Sequence, residues 1–328
     1  MQESIIILTL AFALDQVLGD PVYRLHPVRL IGNAASRLED LLMRMGLNSR
    51  GGGFLYAVLL LCGVNFLAVG IVLAAGIVPG LDLVVMVFLL YSCIGLKDLV
   101  NHARPIAFAL EQGSWDKAGD LLQGIVGRDA TLLSEKGIIR AAVESIAENF
   151  VDAFLGLVFW FMVGVILGYL SELPPALVGV AFALSYRTIN TLDAMVGYKS
   201  KKYLNFGRTS ARVDDLLNHV PARVSIFIIC FAALLRGHDW KRCLLTGLRD
   251  RQKHVSPNAG HPESAVAGAL GISLGGPVDY AYGLVEKKWM GDELKAPCPG
   301  DILKSIHLIT CAAWISLLSA LLILLFWS

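Results

Sequence analysis

The chain lacks the marks by which most nucleotide-using enzymes are read. It has no G-x-x-x-x-G-K-[ST] loop and no G-x-G-x-x-G fingerprint, so a nucleotide must be held by other means. Its six cysteines, Cys62, Cys93, Cys230, Cys243, Cys298 and Cys311, include no C-x-x-C pair. That leaves neither a disulfide framework nor a zinc knuckle, and most of them sit in apolar runs as small hydrophobes. Charge is sparse at 17%, and the net +1 calls for no nucleic-acid partner. No repeat or low-complexity tract is evident. The first apolar run has Glu3 ahead of it instead of a basic segment, so it reads as a retained membrane helix and not as a cleaved signal.

What is abundant is apolar sequence. The 328 residues are 55% hydrophobic with a mean hydropathy of +0.62, beyond an ordinary soluble globule. Six runs carry no Lys or Arg: 4–18, 54–78, 83–96, 151–170, 176–186 and 306–327. The runs 54–78 and 306–327 have the length to span alone; the others need their flanks or tertiary shielding. The expectation is an all-α, polytopic integral membrane protein, one domain over 1–328, with long helical loops carrying the active site. All 28 Lys and Arg fall in 19–53, 97–150, 187–223 and 236–304. By the positive-inside rule these stretches are cytoplasmic, in the cell (inner) membrane, and the short connectors 79–82 and 171–175 external. The run 224–235 is too short to cross on its own and reads as re-entrant or interfacial.

Three polar clusters carry the chemistry. In the first, Asp214 and Asn218 stand four apart on a predicted helix beside Asp215, so their oxygens converge on one face. Carboxylate and carboxamide oxygens suit Mg²⁺ with a substrate phosphate in its shell, and Arg187, Arg208, Arg212 and Arg223 offer forks for anions. A solvated, ion-paired helix is the plain alternative. In the second, Arg140, Glu144, Glu148 and Asp152 fall at i, i+4, i+8 and i+12, with Asn149 adjoining. The stripe runs into the apolar segment at Val151, which favours metal binding or acid–base work over a solvated face. Glu144, Glu148, Asp214 and Asp215 are expected to share one Mg²⁺ site, supported by Asn149 and Asn218.

The third cluster is the turn Asn258 to Glu263. Gly260 and a first-turn Pro262 open a helix whose free N–H groups suit a phosphate, with Glu263 facing a metal or an incoming ammonium. Close packing through Ala265, Ala267, Gly268 and Ala269 is the alternative and is compatible with it. Gly271, Gly275 and Gly276 form a second, flexible loop. Nearer the start, Gly19, Pro21 and Pro27 shape a turn capped by Asp20, which is favoured over a phosphate donor or acid at His26, while Asp15, at the end of the first helix, stays open as an oxygen ligand.

These motifs together resemble the CbiB/CobD family of cobalamin biosynthesis, the adenosylcobinamide-phosphate synthases. The resemblance runs almost end to end: D-Q-V-L-G-D-P from Asp15, H-P-V from His26, G-R-D from Gly127 and E-S-I-A-E-N-F-V-D from Glu144. It continues through Y-R-T-I-N-T-L-D-A-M-V-G-Y from Tyr186, A-R-V-D-D-L-L-N-H-V-P-A-R from Ala211, N-A-G-H-P-E-S-A-V-A-G-A-L-G from Asn258 and L-G-G-P from Leu274. Asp152-Ala153 departs from the family's D-G, and no proline follows before Pro174. The resemblance implies an amide-forming ligase that joins a carboxylate of adenosylcobyric acid to (R)-1-aminopropan-2-ol phosphate, or aminopropanol, with ATP and Mg²⁺. It implies Glu144, Glu148, Asp193 and Glu263 as catalytic carboxylates. Arg128, Asn149, Arg187, Asn190, Arg212, Arg223, Asn258 and Gly260 would contact substrate, and Asp152, Asp214, Asp215 and Asn218 the metal. The lipid bilayer is a partner; a homo-oligomer and other corrinoid-pathway enzymes stay open. A transporter or sensor of an anionic solute, or a Mg²⁺-dependent membrane transferase acting on a diphosphate, is the competing reading.

Overall fold

The computed structural model describes residues 1–21, 23–126, 130, 133–198, 200–280, 283–285 and 287–327, with the backbone alone at 278–280 and 283–285. The helices run α1 (Gln2–Leu18), α2 (Pro27–Arg44), α3 (Arg50–Ala75), α4 (Leu81–Tyr91), α5 (Leu96–Glu111), α6 (Trp115–Gln123) and α7 (Glu135–Phe150). A π turn (Val151–Leu155) leads into α8 (Gly156–Leu170), α9 (Pro175–Val196), α10 (Arg208–Leu217), α11 (His219–Leu235), α12 (Trp240–Asp250), α13 (Gly260–Leu270) and α14 (Pro299–Phe326). Two short antiparallel pairs interrupt them: β1 (Leu274–Gly275) with β4 (Trp289–Met290), and β2 (Val278–Tyr280) with β3 (Gly283–Val285). The fold is all-α, as the apolar runs require.

Among the described residues four helical stretches are long and apolar enough to span a membrane: Arg50–Ala75, Leu81–Glu111, Glu135–Leu170 and Pro299–Phe326. A fifth arises if α10 and α11 count together. Only 17% of the most apolar window of α3 is buried. Phe66 is 80% exposed there, a surface that lipid covers and water would not tolerate. α14 starts well before its apolar run. Asp301 accepts from the Cys298 N–H (3.0 Å) and is paired with Lys295, which fixes the polar first turn.

Two compact units are assembled from separated segments: Met1–Gly95, Gly156–Leu217 and Leu317–Ser328 in one, Leu96–Leu155 and Asn218–Ser316 in the other. In the first, α8 and α9 pack through glycine. A Cβ on Gly164 would lie 2.7 Å from the Val178 carbonyl oxygen, and one on Gly179 would lie 2.5 Å from Val165. Small residues allow that approach where lipid supplies no hydrophobic drive. Ala35, Leu42, Tyr56, Ala57, Leu60, Leu192, Val196 and Phe206 form a core joining α2, α3 and α9. In the second unit α13 is buried at every position, clasped by α11, α12 and α7. A Cβ on Gly268 would stand 2.6 Å from the Arg242 carbonyl oxygen of α12.

The helix expected to carry both Asp214 and Asn218 breaks between them. α10 ends at Leu217, and Asn218 is the N-cap of α11. Pro221 has no N–H to return to the Leu217 carbonyl four residues back. The Trp160 indole N–H takes that carbonyl instead, at 3.0 Å. The two side chains therefore do not share one continuous helix, and the proline was the available signal.

The sidedness of the basic stretches is open to direct test. With the exposed Cys62 and Cys298 replaced by serine, single cysteines at the exposed positions Asn101 and Gln252 should label from the cytoplasmic side alone. Opposite accessibility would mean that α11 crosses.

Candidate functional site

In the first unit the site is built on α9 and α10. Burial and then the charge of Asp215 push the Asp193 carboxyl up to about 6. Two carboxylates that share a place hold a proton or a cation between them more readily than two charges. Gly197 makes room: a Cβ there would stand 2.0 Å from Asp193 Oδ1, and its N–H bonds the Asp193 carbonyl at 2.7 Å. Asp214 and Asp215 do not project in one direction. Successive helical residues point about 100° apart, so Asp214 is buried while Asp215 is half-buried beside Asp193. Arg187 reaches the Asn190 side-chain oxygen at 3.3 Å one turn along the same helix.

His26 Nε2 lies 2.8 Å from Asp20 in the turn expected there. Burial, then Arg29 and Arg187, hold the imidazole pKa below its ordinary value against the pull of Asp20. Asp15 is buried at the end of α1 and accepts from Gln16 at 2.9 Å. Lys202 and Tyr203 are tied down on α2, where Lys202 Nζ (2.7 Å) and Tyr203 Oη (2.8 Å) meet Glu39.

The second unit holds the stripe of α7. Ile138, Ile139, Ala141, Ala142, Val143, Ser145, Ile146, Ala147 and Phe150 are buried, whereas Arg140, Glu144, Glu148 and Asn149 are half-buried on the remaining side. Glu144 accepts the Gly275 N–H at 2.7 Å. Arg140 stacks 4.6 Å over the Trp289 ring and pairs with Glu293 at 3.0 Å. Asn149 donates to the Ser145 carbonyl at 2.8 Å. Asp152 lies in the π turn, an insertion that recurs where a helix serves a site. The turn falls at the position where this chain has Asp152-Ala153.

The glycine loop expected to be flexible is instead held in place. Gly275 and Gly276 have positive φ, Gly275 is bonded to Glu144, and a Cβ on Gly276 would strike the Trp289 ring at 2.3 Å.

At the start of α13 the chemistry is cationic. Burial, then Arg223, Arg251 and His219, pushes His261 down to about 4, against the bond to the Asn258 carbonyl. Arg223 and His219 come from α11 and Arg251 from the end of α12, and Arg223 is itself anchored on the His219 carbonyl at 2.6 Å. Glu263 is buried with His254 Nε2 3.9 Å away. Asn258 is buried too, and its N–H is taken by Ser256. Gly260 is seated against the backbone of a neighbouring segment. A Cβ would lie 2.3 Å from the Arg251 carbonyl oxygen, so close packing requires glycine here. Residue patterning passed over His261, Arg251 and His219. The histidine inside N-A-G-H-P-E was the signal available for the first, while the other two are gathered only by folding. Asp250 was also missed. It is wholly buried; the hydrogen bonds of Arg249, Lys253 and the Gly291 N–H outweigh that burial and hold its pKa well below the usual carboxylate range.

Arg128, with the rest of the G-R-D motif, lies outside the described residues. Glu144 and Glu148 belong to one unit and Asp193, Asp214 and Asp215 to the other. Among the described residues no three His, Cys, Asp or Glu side chains gather as a metal group. Two carboxylates nevertheless fit Mg²⁺, which commonly takes one or two from the protein and the rest from phosphate and water.

A His261 held neutral by the fold contributes stability that is full above its unfolded pKa near 6.5. That contribution is lost as pH falls toward about 4. The melting temperature should therefore drop between pH 7 and pH 4.5, and His261→Gln should remove part of that drop. An unchanged pH profile would place the acid sensitivity elsewhere.

Long apolar helices with lipid-exposed faces, and shorter helices that bury carboxylates, define a polytopic α-helical membrane protein. Comparison with known proteins gives the particular family: the profile described as CobD/Cbib protein matches residues 8–309, and the chain belongs to that family. It is 39% identical over 313 residues to the "Cobalamin biosynthesis protein CobD" of Klebsiella pneumoniae, covering 94% of this chain and 93% of that one. A relative of the same name from Photorhabdus laumondii is 39% identical over 314 residues, covering 94% and 93%. The one from Clostridium perfringens is 37% identical over 317 residues, covering 96% of each chain. No solved structure matches.

Proposed function

We propose that this protein is an enzyme of cobalamin biosynthesis that forms an amide between a carboxylate of adenosylcobyric acid and (R)-1-aminopropan-2-ol phosphate, or aminopropanol, at the expense of ATP. The observation that carries the reading is the family match over residues 8–309. The geometry supports it in three ways. The cations around His261 suit a reactant bearing phosphate or carboxylate, and Arg223 is the fork among them already braced for that task. Glu263, buried beside His254, would orient an ammonium and take its proton before the amine attacks. Asp193 and Asp215 are the residues that would hold Mg²⁺. Bound there with ATP, the ion would neutralise phosphate charge while the carboxylate is activated.

The test is direct. Purified protein with adenosylcobyric acid, aminopropanol phosphate and MgATP should yield a corrinoid whose mass has risen by the amine less one water, and none without ATP. Folded protein that produces no such corrinoid, but moves an anionic solute across vesicle membranes, would make the transporter reading the better one.

A further inference from the structure

We propose that Cys230 and Cys243 are a redox-sensitive thiol pair that closes into a reversible disulfide between α11 and α12, independent of the ligase reading. Their sulfurs stand 3.2 Å apart. Spacing along the chain gave no hint of it, because the two cysteines belong to different helices of the second unit. What brings them together is a helical hairpin. α11 ends at Leu235 and α12 starts at Trp240, so the short connection returns the chain antiparallel to itself. That connection is firmly built: the His238 N–H bonds the Ala233 carbonyl at 2.8 Å, and the Asp239 side chain accepts the Arg242 N–H at 2.9 Å.

The register of the hairpin holds the thiols face to face. Ile226 lies one turn before Cys230, and Gly247 one turn after Cys243. A Cβ on Gly247 would stand 3.0 Å from Ile226 Cγ2, so the glycine lets the two helices close on each other there. The two contacts are therefore successive rungs of one interface, and the sulfurs need to approach by only about 1 Å to reach bonding distance. None of the other cysteines is placed this way among the described residues. Cys62 and Cys298 are exposed, and Cys298 Sγ lies 3.4 Å from an Asp301 oxygen.

The oxidant must be small and uncharged, because Cys243 is fully buried and Cys230 keeps 7% of its surface. Hydrogen peroxide meets both conditions. The Cys230 sulfur attacks the O–O bond, which breaks to leave a sulfenic acid and one water; the Cys243 thiol then displaces the hydroxyl as a second water and forms the S–S bond. The two thiols give up two hydrogens with their electrons, and the peroxide takes them. A dithiol reverses the step by exchange. α11 and α12 both pack on the buried α13, so the bond secures the hairpin that clasps it.

The test uses the full chain in uncharged detergent with Cys62 and Cys298 replaced by serine. It is treated with a slight excess of hydrogen peroxide, alkylated, digested and mapped by mass spectrometry, and its melting temperature is followed before and after dithiothreitol. The expected result is a peptide pair joined through Cys230 and Cys243, lighter by two hydrogens than the free thiols. The melting temperature should rise by a few degrees on oxidation and return on reduction. Cys230→Ala and Cys243→Ala should show neither the bond nor the rise. If either variant is too unstable to purify, oxidised against reduced wild type decides alone. Thiols that stay free, sulfinic acids in place of the bond, or a bond with no reversible rise would overturn the clamp. The ligase reading survives any of these, because it stands on product formation.

Discussion

Asp193→Asn should stabilise the protein at pH 8 while lowering amide formation at least a hundredfold. The two effects share one cause. Asp193 is forced into a place where burial and Asp215 disfavour its charge, and its pKa stands near 6. A carboxyl raised from the ordinary range near 4 to that value costs the fold on the order of 2 to 3 kcal/mol once ionised. The sign follows from the direction. The cost is absent below pH 4, grows as the pH rises through the window to 6, and is complete above it. Asparagine has the same shape and no charge to lose, so melting temperatures in EDTA should gain a few degrees at pH 8 and almost nothing at pH 4.5. Equal gains at both pH values would mean that the charge is not what strains the site. A stabilised variant that still couples amine to corrinoid would remove Asp193 from the chemistry.

Gly260→Ala should cost about 3 kcal/mol or more, seen as a lower melting temperature in detergent and a reduced membrane yield. The added methyl would lie 2.3 Å from the Arg251 carbonyl oxygen and 2.9 Å from His254 Cβ, with backbone on one side that cannot rotate away. α13 is buried along its whole length, so its first turn has no free side toward which to shift. The same displacement would pull His261 and Glu263 away from Arg251 and His254, and turnover should fall with stability. If Gly260→Ala melts normally and only raises the KM for a phosphate-bearing substrate, the glycine serves ligand approach and the packing argument fails.

Helix stripes were legible because the period of the α-helix is a property of the backbone alone. Arg140, Glu144 and Glu148 at steps of four had to share a side of α7, and the buried residues between them fill the rest of it. The membrane class was legible for a similar reason: a run such as 54–78 has no charged group to expose, whatever it packs against. The break at Asn218 could have been read from Pro221, whose missing N–H removes one helical bond wherever the chain lies. The π turn at 151–155 carried no such sign, since an insertion of this kind is decided by how neighbouring helices seat.

Single residues were read least well where their meaning lies in a partner distant in the chain. Asp215 looked like one half of Asp214-Asp215, yet its charge is also felt by Asp193 on another helix. Gly260 looked like an opening for a ligand, yet it is the contact point of α13 with the Arg251 backbone. Gly53 and Phe206 are far apart in sequence and become neighbours because a glycine leaves room for the Phe206 carbonyl. Local spacing and composition determined the helices, their apolar faces and the polar motifs, because those follow from short-range geometry and from the cost of placing charge in lipid. Only the tertiary structure decided which charges meet, because Coulomb energy and close packing depend on distance in space, and chain order says little about that.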